Sequence, residues 1–151
     1  DPVTYIATSK QRLDDLDWQQ RIDIHRKRRP ESWSLVESPN DICEVIDSIG
    51  RNQSLLIDSL GGIVEQHLEE DNDKWDYFQK KLFKSFTTNN LCIVVVSEEV
   101  GWGIVPATPI GHLFRERHSS INSLMSRFSN KRWLAINGNA IDLDMIGDRI
   151  P

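Results

Sequence analysis

In "NLCIVVVSEE", Asn90 to Glu99, six consecutive residues from Leu91 to Val96 carry apolar side chains, four of them β-branched, before the run stops at a serine and two acids. The run is far short of the roughly 20 residues a membrane helix needs. It is also too continuous for a strand with one wet face, which would alternate apolar and polar positions. It reads as a strand covered on both faces, the pattern of a parallel sheet. "SLLIDSL" (Ser54 to Leu60) has the same character, and "VTYIAT" (Val3 to Thr8), "WSLVES" (Trp33 to Ser38) and "RWLAING" (Arg132 to Gly138) also read as strands.

Segments of helical period separate these runs, at about Asp15 to Arg29, Asn40 to Ile49, Asp73 to Thr87 and Pro109 to Phe128. Asp14 or Asp15 can cap the first and Pro30 stops it, while Asn40, following Pro39, is read as the cap of the second. Strand and helix therefore alternate along the chain, which predicts an open α/β sheet flanked by helices. "GGIVEQHLEEDND" (Gly61 to Asp73) fits less neatly and is read as a turn, a short helix and a solvated loop. No repeat or low-complexity linker divides the chain, so residues 1–151 are read as one α/β domain.

Charge and composition narrow the function. With 151 residues, 38% hydrophobic and a formal net charge of −5, the chain has enough apolar material for one core and too little positive charge for a nucleic-acid coat. Two cysteines, Cys43 and Cys92, make no disulfide framework, so the reducing cytoplasm is the expected setting. In open α/β sheets ligands bind beyond the carboxyl ends of the strands. Here those positions are Thr8-Ser9-Lys10, Glu37-Ser38, Asp58-Ser59 and Ser97-Glu98-Glu99. Hydroxyls, a lysine and carboxylates suit a phosphate ligand accompanied by Mg²⁺.

"RIDIHRKRRPESW", Arg21 to Trp33, sets five Arg and Lys residues around His25. On one helix Arg21, His25 and Arg28 stand at i, i+4 and i+7, and Arg29 follows His25 by four, so they share a side. Trp18, Ile22 and Ile24 are the expected buried contacts of that helix. Cations around an imidazole favour its neutral, nucleophilic form, and guanidinium groups stabilise charge on a phosphoryl group. A solvated basic helix end, favoured by the helix dipole, accounts for the same spacing. His67, His112 and His118 are read as surface residues, and Trp102 either is exposed and packs against a ligand or neighbouring subunit or is buried.

Taken in order, "YIAT", "RI", "HRKRRPESW", "VES", "LLIDSL", "SEEVGWGIVP" and "LFRER" with Asn122 resemble the signatures of the adenosylcobinamide kinase and adenosylcobinamide-phosphate guanylyltransferase family of cobalamin biosynthesis. The resemblance runs from Tyr5 to about Gly138. It implies a P-loop NTPase-like, mostly parallel sheet, a small homo-oligomer without a membrane span, and corrinoid substrates, with no nucleic-acid partner. It also implies two activities: phosphorylation of adenosylcobinamide by GTP or ATP, and transfer of GMP from GTP through a guanylyl-histidine. His25 maps onto that histidine; some members have two adjacent histidines, and Ile24 stands at the first position here. Thr8, Ser9, Lys10, Lys27, Arg28, Arg29, Glu37 and Asp58 then line the nucleotide, Asp58 holds Mg²⁺, and Glu99 and Arg115 contact substrate or metal.

The sequence departs from that family in two places. No G-x-x-x-S-G-K-S loop occurs in it, so the first strand and P-loop are read as missing, and the 151 residues taken alone are expected to be inactive and to expose strand edges. After Asp58 two glycines replace the family's Thr-containing turn and are expected to loosen the next helix. A non-catalytic binding or scaffold descendant is the alternative these departures raise.

Overall fold

The structure is a computed structural model that describes residues 2–148 except 11, 13, 51, 89 and 90, and omits the side chain of Arg21. Four strands, β1 (Val3–Ala7), β2 (Ser34–Glu37), β3 (Ser54–Asp58) and β4 (Cys92–Val96), form one parallel sheet in the order β2-β1-β3-β4. The helices are α1 (Leu16–Arg28), α2 (Ile42–Ser48), α3 (Leu60–Gln66), α4 (Asn72–Thr88), α5 (Pro109–Phe128) and the single turn α6 (Leu143–Ile146). None of them is long and apolar enough to cross a membrane, among the described residues.

Register decides which side chains meet. Val36, Ile6, Ile57 and Val95 lie in one row across the sheet, because Ile6 pairs with Val36 and Ile57, and Ile57 with Val95. On that face they meet Ile42, Cys43 and Ile46 of α2, Leu60, Ile63 and Val64 of α3, Trp75, Phe78 and Leu82 of α4, and Ile121 of α5. Burial of an aliphatic side chain as complete as that of Ile57 is worth about 1.5–3 kcal/mol. Arg117 of α5 is also buried, donating to the carbonyls of His67 and Glu70 at 2.6 and 2.7 Å, and so closing the end of α3.

The opposite face is nearly bare. Its central row, Leu35-Tyr5-Leu56-Val94, alternates with the core row as strand geometry requires, yet Leu35 is 41% and Val94 53% exposed. The unbroken apolar run in β4 therefore does not mean burial on both faces: among the described residues four helices pack on one side and only α1 approaches the other. β3 pairs directly with β4. No described side chain of α1 is buried, and Ile24 is 50% exposed.

Three further boundaries differ from the sequence reading. Asp41, not Asn40, caps α2, its carboxylate accepting from the amides of Cys43 and Glu44. Leu60 leaves the strand to begin α3, of which five residues are buried. The fifth strand does not join the sheet: β5 (Trp133–Ile136) pairs antiparallel with β6 (Asn139–Asp142). Asn137 and Gly138 turn between them at φ 49° and 75°, the twist an Asn-Gly hairpin supplies.

Candidate active site

At the carboxyl end of the open face, Ala7 pairs with Glu37 on one side and with Asp58 on the other. Two acids thus flank a methyl group, their Cα atoms about 10 Å apart by strand spacing. Each acid is already held. Arg26 donates to Glu37 at 2.8 Å, and the Tyr5 hydroxyl, two residues below Ala7 on the same face, donates to Asp58 Oδ2. The Arg29 guanidinium lies over the Tyr5 ring, 4.1 Å from its centroid, and Trp33 stacks beside that ring at 6.3 Å. Burial, reinforced by the hydrogen bond to Asp58 and its charge, pushes the Tyr5 hydroxyl well above the ordinary phenol range, against the opposing pull of Arg29. Asp58 Oδ1 has no hydrogen-bond partner among the described residues, and Arg29 Nε is buried without one.

These contacts orient α1. Arg26 and Arg29 mark the side facing the sheet, and His25, one turn before Arg29, flanks that side. Lys27 and Arg28 are exposed. The position of Arg21 relative to His25 lies outside the described residues.

A second cluster joins β3 to β4 on the core side of the same edge. Thr8 is buried; its hydroxyl donates to the Ser59 carbonyl at 2.6 Å and accepts from the Ser59 amide at 2.8 Å. Glu98 accepts from the Ser59 hydroxyl, the Gly61 amide at 3.0 Å and His118 Nε2 at 3.1 Å. Desolvation alone would raise the Glu98 carboxyl, but the donors led by His118 and Ser59 outweigh it and bring it down to about 2. The two glycines tighten this corner. A Cβ on Gly61 would stand 2.7 Å from Glu98 Oε1, and one on Gly62 2.8 Å from the backbone nitrogen of Ser9.

The loop after β4 is fastened to α5 by Asn122, which donates to Glu99 at 3.4 Å, and by Arg115, which donates to the Gly101 carbonyl at 3.1 Å. Above these ties Trp102 is 68% and Ile104 96% exposed. The structure therefore gathers Glu37, Asp58 and Arg29 with the end of the His25 helix, and commits Thr8 to the backbone. Ser9 and the exposed Lys10 follow Thr8 at the same edge, while Glu99 and Arg115 sit with the loop.

Against known proteins, the family model described as cobinamide kinase / cobinamide phosphate guanyltransferase matches residues 1–143. The chain belongs to this family. The "Bifunctional adenosylcobalamin biosynthesis protein CobU" of Escherichia coli (strain K12) is 31% identical over 93% of this chain and 85% of its own length. The protein of the same name from Salmonella typhimurium is 27% identical over the same shares.

For a member of the cobinamide kinase family, the metal question turns on donors. Among the described residues no three His, Cys, Asp or Glu side chains converge on a point. A single free carboxylate oxygen, Asp58 Oδ1, fits Mg²⁺ held chiefly by phosphates and water.

Sequence reasoning gave Tyr5 and Arg26 no role of their own, listed Glu98 only as one of the polar strand ends, and read His118 as a surface residue. Tyr5 and Arg26 were legible in part, as the residue two before the strand end and the cation one turn before Arg29. His118 is buried rather than at the surface, because Glu98 meets it; only His112 of the α5 pair is exposed. His67 is likewise half-buried, its ring stacked 3.7 Å from that of Phe78. Its Nδ1 lies 3.0 Å from Glu70 Oε2 at an angle that makes no hydrogen bond.

Proposed function

We propose that the chain carries GMP transfer in cobalamin biosynthesis, from GTP to adenosylcobinamide phosphate through a guanylyl-histidine at His25, with an associated kinase activity toward adenosylcobinamide. The observation that supports it is Arg29. Its guanidinium is fixed over Tyr5 at the end of the His25 helix, carries a buried Nε without a partner, and makes no ion pair among the described residues. A planar cation so held is suited to a phosphate group.

In the first step a nitrogen of the neutral His25 imidazole attacks the α-phosphorus of GTP. A P–N bond forms, the bond from that phosphorus to the bridging oxygen breaks, and pyrophosphate leaves, while the other ring nitrogen loses its proton to solvent. In the second step a phosphate oxygen of adenosylcobinamide phosphate attacks the same phosphorus. The P–N bond breaks, the ring takes a proton back from solvent and is restored as neutral imidazole, and GMP is carried on a new P–O–P linkage. Arg29, and Arg26 steadied by Glu37, oppose the charge growing on the phosphoryl oxygens. Mg²⁺, when bound with the nucleotide at Asp58 Oδ1, would neutralise phosphate charge and favour the leaving group.

A ping-pong sequence of this kind predicts exchange of labelled pyrophosphate into GTP with no corrinoid present, in protein expressed from its full coding sequence. Exchange that requires the corrinoid would point to direct transfer and overturn the proposal.

A further inference from the structure

We propose that Tyr5 is a positioning residue that sets Asp58 and the cationic end of α1 relative to one another, leaving one chosen oxygen of Asp58 for the ligand. The inference rests on the reading above and concerns its nucleotide site.

One side chain makes both contacts. The ring of Tyr5 supports Arg29 on one side and is stacked with Trp33, while its hydroxyl donates to Asp58 Oδ2. Tyr5 is 7% exposed, on a face where its row neighbours Leu35 and Val94 are open. Its burial comes from the residues around it, Arg29 and Trp33, and not from a helix layer. A carboxylate at a strand end turns readily about its last bond; a donor fixed to one oxygen removes that freedom and leaves Oδ1 outward. The phenol cannot serve two acids, and Glu37 across Ala7 is occupied by Arg26. Each acid in the Glu37-Ala7-Asp58 row therefore has its own holder, one cationic and one neutral. The neutral one leaves the charge of Asp58 uncancelled, as a cation site requires.

The test separates the hydroxyl from the ring. In protein expressed from its full coding sequence, GTP affinity is measured by calorimetry with Mg²⁺ and with EDTA in its place. Tyr5→Phe keeps the ring beneath Arg29 and loses the hydroxyl, so the Mg²⁺-supported affinity is expected to fall about tenfold while the metal-free affinity holds. With Asp58→Asn already present, Tyr5→Phe should change the metal dependence no further. Tyr5→Leu removes the platform as well, and both affinities should fall. Equal loss of both affinities in Tyr5→Phe, as a purely packing role would give, overturns the inference, as does an unchanged metal dependence. Wild-type GTP affinity indifferent to Mg²⁺ overturns it too, while the exchange reaction would still answer for His25.

Discussion

Glu98 shows how far a single carboxylate can be committed. It is 46% exposed at the side chain, yet accepts from a hydroxyl, an amide and a buried imidazole, and titrates near 2. A carboxyl lowered on folding contributes stability that is present above its unfolded pKa, about 4.3, and is lost as pH falls toward the folded value. The stability difference between wild type and Glu98→Gln, read from urea denaturation, should thus be level above about pH 4.5 and shrink steadily below it. Partial exposure keeps that difference small by solvent screening. The cysteines make a sharper contrast. Cys43 is fully buried, and desolvation pushes its thiol up to about 11, whereas Cys92 is exposed on the open sheet face. A thiol reagent under native conditions should modify Cys92 within minutes and reach Cys43 only on unfolding. Neither contrast was visible in sequence, since Glu98 and Glu99 are adjacent, and only the β4 register and the placement of His118 tell them apart.

Among the elements, α3 repays attention because its glycines were expected to loosen it. They do the reverse, letting the helix begin directly against the Thr8–Ser9 backbone and the Glu98 carboxylate. Gly62→Ala should cost about 2 kcal/mol or more, because the added methyl meets backbone atoms that cannot retreat. Gly61→Ala should cost less in thermal stability, since a side-chain carboxylate can give way, but should release Glu98 from Ser59 and His118. Equal thermal midpoints for the two variants would contradict this account. Element type was mostly legible where punctuation was local: Asp15 caps α1, α5 opens at Pro109, and β1 to β4 follow their apolar runs. It failed where tertiary partners decide. Val94 and Val96 cannot announce that no helix covers them, and "ING" was read as a strand end although Asn-Gly is a hairpin signal.

For the whole molecule, the unequal covering of the sheet bears on where the proposed chemistry would take place. Among the described residues four helices close one face into a core, and the other is left to α1, which brings Arg26 against Glu37 and Arg29 over Tyr5 at the strand ends. A face so lightly covered can admit a triphosphate without opening the core. The candidate site was legible as a list of polar strand ends and one cationic helix. Which members of that list meet was not, because parallel pairing sets Glu37 and Asp58 on either side of Ala7 only once the strand order is known. In the proposed reaction His25 carries the nucleotide in covalent form. Incubation of the protein, expressed from its full coding sequence, with α-labelled GTP should give an acid-labile, alkali-stable label that maps to His25 and is absent from His25→Ala; label retained in that variant would contradict the account.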